Sequence, residues 1–112
     1  FAVFRDGVKG FDALPPQEQA HFHSILVDLA FYLQMVWQLA RHGLVDRSAV
    51  ETNERFLAAI LITKGGREWL EYARKTRPMP PEALEYLAGL VERNPSDGSP
   101  ITELQRWFGT DS

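Results

Sequence analysis

The chain has 112 residues, of which 45% are apolar and 24% charged, with a net charge of −3 and no cysteine. That length supports one domain rather than two separate cores, and the balance is that of a globular protein, not a disordered one. A nucleic-acid binder needs a surplus of Lys and Arg against the phosphates, which is missing here; without cysteine there is neither a disulfide framework nor a thiolate metal site.

In "FAVFRDGVKGFDA", Phe1, Phe4, Val8 and Phe11 recur at spacings of three and four. They predict a short helix, weakened by Gly7 and Gly10. "LPPQEQAHF" is a start signal, since proline fits the first helical turn and Glu18 then meets the positive end of the dipole. A long helix is predicted from Pro16 to His42, stopped by Gly43 as a left-handed cap. Asp46 or Ser48 caps the next helix, Ser48 with Glu51 matching the capping box, and this helix reaches about Ile62. Thr63 caps a fourth helix ending near Thr76, with Trp69, Tyr72 and Ala73 on one side. "RPMPPEA" stops and restarts the chain, and a fifth helix turns Leu84, Leu87, Leu90 and Val91 inward as far as Arg93. Turn formers fill 94–99, the predicted linker. Ser99 and Pro100 open a short last helix, "ITELQRWF", within a C-terminal segment 100–112. No stretch alternates as a strand should. The expected fold is all-α: a helical domain over 1–93, an irregular bundle of five to six helices around one long central helix.

The run "ILVDLAFYLQMVWQLA" within the long helix is too short for a membrane span and carries Asp28, Gln34 and Gln38. At 100° per residue, Phe22, Ile25, Leu26, Leu29, Leu33, Val36, Trp37 and Ala40 share a broad core face. Val27, Phe31 and Met35 form a second apolar line behind it. A helix with only solvent behind it should not carry that line. Three covers are open: the first helix through Phe4, Val8 and Phe11; the last helix through Ile101, Leu104, Trp107 and Phe108; or a second copy of the chain.

Reactive groupings are sparse. His21 and His23 point about 200° apart on a helix, so they cannot share a metal, and His42 stands far along the chain; exposed helix-end histidines are expected, with no metal site. Glu51, Glu54, Glu68 and Glu71 lack the i+3 histidines of a di-metal carboxylate site and read as surface ion-pair partners, with Arg55 and Lys75 nearby. Gly65-Gly66 lacks the order of a phosphate loop and reads as a tight helix corner. Arg74, Lys75 and Arg77 suit a helix C-terminus. Asn53 interrupts the apolar line of the third helix; it bonds to backbone at a helix end or, alternatively, faces a polar pocket. No catalytic triad, nucleophile elbow or redox motif is present, and no cofactor is expected.

Gly43, Leu44 and Asp46 after the long helix, then Gly65, Gly66, Arg67, Glu68 and Trp69 at a corner, then the proline-led "PPEALEYLAGLV", resemble a group of uncharacterised small bacterial α-helical proteins over about residues 14–92. The resemblance implies a helical fold and no activity; some members of such groups carry an N-terminal membrane helix. The chain opens on Phe1 rather than methionine, which leaves room for an upstream membrane tether, and the expected location is cytoplasmic or tethered on the cytoplasmic side. The functional expectation is a non-enzymatic interaction or scaffold module that self-associates as a dimer. Its interface is Val27, Phe31 and Met35 with Ile101, Leu104, Trp107 and Phe108. The alternative is a sensor holding a small apolar ligand between helices, lined by Tyr32, Trp37, Asn53, Phe56 and Trp69.

Overall fold

A computed structural model describes residues 2–93. They form five helices: α1 (Ala2–Lys9), α2 (Pro16–Arg41), α3 (Arg47–Leu61), α4 (Lys64–Thr76) and α5 (Pro81–Arg93), with no strand among the described residues. The linker 94–99 and the last predicted helix lie outside them. No helix of the described residues is long and apolar enough to cross a membrane.

Local chemistry sets the boundaries. Pro15 and Pro16 open α2, and Gly43 at φ +74° ends it in the left-handed conformation. The Gly43 and Leu44 amides then donate to Ala40 and Leu39 carbonyls left over at the helix end. Thr63 serves two helices with one hydroxyl. Its Oγ1 donates to the Ile60 carbonyl at 2.6 Å and accepts from the Gly66 amide at 3.0 Å, closing α3 and capping α4. The expected capping box on Ser48 does not form. Asp46 is the N-cap and α3 begins at Arg47, so Ser48 already lies inside the first turn. Arg77 ends α4 at φ 52°, a left-handed position held by a non-glycine residue just before Pro78.

Packing follows from small residues at the crossings. A Cβ on Gly65 would stand 1.6 Å from the Gly7 carbonyl oxygen, and one on Gly66 would stand 2.1 Å from the Ile60 carbonyl oxygen. Backbones of α1 and α4, and of α3 and α4, therefore meet directly, as the glycine pair predicted for a tight corner. Gly7 has a similar reason for being glycine: its missing Cβ leaves room for the Phe22 ring. Phe22 in turn packs against Phe4 and Phe11 at centroid distances of 6.0 and 5.8 Å, within the range of favourable tilted pairs.

α2 is the longest helix, and α3 is the one that packs against α2, α4 and α5. The last third of α3, Leu57 to Leu61, is buried on every side. Ala58 and Ala59 let neighbours approach where bulkier residues would hold them off. The core joins Phe22, Leu26, Leu33 and Val36 of α2 to Ile60, Leu61, Trp69, Leu87 and Leu90.

Candidate functional site

The buried residues of α2 occupy a narrow arc. Phe22, Leu26, Leu33 and Val36 fall within roughly 80° of one another at 100° per residue. Leu33 points into the bundle, Trp37 and Ala30 lie on the flank toward α5, and Phe31 and Met35 lie at the back. α5 buries Leu84, Leu87 and Leu90 and packs on α3 and α4. Because α2 and α5 both lean on α3, a groove of about 400 Å³ is left between them. Its floor is Leu33, Met79 and Leu87, and its walls include Phe31 and Trp37 on one side and Tyr86 on the other. Gln34 and Glu82 supply polar groups at the lining.

Fixed partners hold the wall aromatics. The Arg41 guanidinium lies 4.9 Å from the Trp37 ring centroid, and that of Arg93 lies 5.9 Å from Tyr86, both within cation–π range. The Tyr86 hydroxyl donates to the Glu54 carboxylate of α3. Burial pushes the Tyr86 phenol well above its usual range; the bond to Glu54 and its negative charge add to this, and Arg93 opposes it. Tyr86 therefore stays a neutral donor, and α5 is pinned to α3 beside the groove.

The expected interface residues are placed unevenly. Val27 is half-buried against the core, while Phe31 is 48% and Met35 50% exposed. The N-terminal segment does not cover them, because Phe4 of α1 and Phe11 in the turn after it pack onto Phe22 instead. Ile101, Leu104, Trp107 and Phe108 lie outside the described residues.

Of the five expected pocket residues, the groove takes in Trp37. Trp37 was placed with the core stripe, yet it is 42% exposed, because its position on the flank of the helix faces the gap toward α5. Tyr32 is exposed, Phe56 is half-buried against the core and Trp69 is fully buried. Asn53 Nδ2 donates to the Ala49 carbonyl at 2.8 Å, in the first turn of its own helix. This is the backbone bond that its position in an apolar line calls for. The groove also uses Met79, Pro80 and Tyr86, which the sequence pattern did not single out. One signal was available: Met79 stands in "RPMPP", where a large apolar side chain between prolines has no helical face to serve and must find a contact elsewhere.

A second cluster joins α2 to α4. Trp69 Nε1 donates to His23 Nδ1 at 2.9 Å, and the Tyr72 ring meets the imidazole edge-on at 5.4 Å. His23 is thus half-buried, not an exposed helix-end residue, and burial holds its pKa below the ordinary value. The acceptor role of Nδ1 requires that nitrogen to be unprotonated. The glutamates divide: Glu51 pairs with Arg47 and Glu71 with Arg74, while Glu68 accepts the Asp12 amide at 3.0 Å and Glu54 accepts Tyr86. No three His, Asp or Glu side chains among the described residues converge as metal ligands would.

Comparison with known protein families, with curated proteins and with solved structures finds no match to this chain.

Proposed function

We propose that this chain is a non-enzymatic interaction module that associates with a second copy of itself through the outer side of α2. One observation carries the reading. Phe31, Tyr32 and Met35, three large apolar side chains close together on the outer side of one helix, are each 48–50% exposed. Isolated exposed apolar residues are ordinary, but a contiguous patch rimmed by polar groups is how docking surfaces are built. Ser24, Asp28, Gln34 and Gln38 supply such a rim along the same helix. Two-fold pairing is the commonest homomeric symmetry, and a helix face can meet its own copy across a dyad without any further element. In line with the resemblance to small bacterial helical proteins, the module serves within a larger or membrane-tethered protein.

Analytical ultracentrifugation over a wide concentration range tests the reading. The 112-residue chain should reach a dimer, and Phe31→Glu with Met35→Glu should leave a folded monomer with unchanged circular dichroism. A chain that stays monomeric at the highest concentration sinks the proposal.

The groove favours a second reading, a small-ligand sensor. About 400 Å³ lined by Trp37, Tyr86 and Met79 falls within the roughly 300–1,000 Å³ of small-molecule sites. Thermal shift with aromatic metabolites, abolished by Trp37→Ala while self-association persists, would favour the sensor over the module.

A further inference from the structure

Going beyond self-association through the outer side of α2, and in place of a small ligand, we propose that residues 101–108, "ITELQRWF", fill the α2–α5 groove of their own chain. They are outside the described residues, so what supports the assignment is their sequence and the point at which α5 ends. Ile101, Leu104 and Phe108 stand at i, i+3 and i+7, with Trp107 beside Phe108, the anchor pattern of an amphipathic helix that lies in an apolar groove.

Reach and size fit. α5 ends at Arg93, and Leu87 and Tyr86 in the groove are roughly 9–11 Å back along it at 1.5 Å per residue. The chain from Arg93 to Ile101 spans up to about 26 Å at 3.3 Å per residue. That is ample for a reversal, and "NPSDGSP" consists of turn formers. As a helix, 101–108 would be roughly 12 Å long. The α2 wall from Ala30 to Trp37 is roughly 10 Å long by the same rise.

The short tether decides between the chain's own segment and a neighbour's. A linker of this length gives an effective concentration of about millimolar, which a second copy at micromolar concentration cannot match. Docking in this way covers Trp37 and Tyr86 and leaves Tyr32, Met35 and the outer edge of Phe31 facing outward for self-association.

The chain contains no cysteine, so the full chain carrying Gln34→Cys and Gln105→Cys has two thiols only, and a short bismaleimide can report their proximity. The test compares it with the same protein carrying Leu104→Asp and Trp107→Asp. Neither tail residue belongs to the described bundle, and circular dichroism verifies that both proteins are folded. The expected result is an intramolecular cross-link whose rate is independent of protein concentration and falls at least roughly tenfold with the two aspartates, the loss expected for taking two apolar anchors out of a groove. Equal rates in the two proteins would mean chance encounter and overturn the inference. Cross-links mainly between chains, rising with concentration, would also overturn it while leaving self-association standing. A monomeric sedimentation profile with the intramolecular cross-link intact would do the reverse.

Discussion

Trp69 and Trp37 mark two contrasting regions of the molecule. Trp69 is fully buried between α2 and α4, with its indole N–H satisfied by His23. Trp37 lies in the wall of an open groove, 42% exposed, with a guanidinium over its ring. Around Trp69 the glycines of α1 and α4 bring main chains into contact, so little space is left unfilled. Around Trp37 no such approach occurs, since α2 and α5 each lean on α3. One region is closed by close backbone approach and the other is left open by the lack of it. Stability is therefore expected to reside in the first and binding in the second.

The widest gap should separate the two tryptophans themselves. Trp69→Ala removes a fully buried side chain and orphans the His23 acceptor, for an expected loss of about 3–5 kcal/mol. Trp37→Ala should change the stability of the monomer by no more than about 0.5 kcal/mol. Urea denaturation of both variants at low protein concentration measures the difference, and equal losses would erase the contrast.

The glycines should divide in the same way. Gly65→Ala drives a methyl into the Gly7 carbonyl, and main chain cannot swing aside as a side chain can. About 3 kcal/mol of destabilisation is expected. Gly89 in α5 offers the opposite case, because a Cβ there meets the Arg93 guanidinium at 3.1 Å, the end of a long exposed side chain that can shift along the Tyr86 ring. Gly89→Ala should then be neutral or stabilising by up to about 1 kcal/mol, from helix propensity. Thermal melts compare the two.

The smallest effect concerns pH. Burial lowers the folded-state pKa of His23 below its unfolded value, so the unfolded chain takes up the proton first as pH falls. The stabilisation is fully present above the unfolded pKa, near 6.5, and is lost as pH falls through the folded value. Protonation also converts Nδ1 from acceptor to donor and breaks the Trp69 bond. The urea midpoint should therefore drop between pH 7 and 5. His23→Gln, whose amide oxygen can accept from Trp69 without titrating, should flatten that dependence.

The order of the five helices was legible in the sequence, because local chemistry dictates it. Prolines opened α2 and α5, Gly43 ended α2, and Thr63 capped α4, each through backbone groups within a few residues. Where two local signals competed, the sequence was less decisive: Asp46 and Ser48 both suited the start of α3, and Asp46 took it. The Gly65-Gly66 corner was recognisable as a corner, although the partner that makes Gly65 obligatory, the Gly7 carbonyl, is far away in the chain. For Gly7 itself the pattern suggested only a weakened helix.

Helical periodicity also drew the two apolar lines of α2 and the separation of Phe31 and Met35 from the core. It assigned Trp37 to the buried stripe, because periodicity gives an angle around one axis and not the position of the next helix. Whether a flank residue is covered depends on how α5 sits on α3, and that is settled by contacts between segments distant in sequence: Leu87 and Leu90 in the shared core, and Tyr86 against Glu54. The same holds for His23, whose surroundings come from α4. The amino-acid order alone determined which segments coil and which sides of them avoid water. Only the tertiary packing decided which of those sides found a cover, because covering a side chain takes a second surface that its own neighbours in sequence cannot provide.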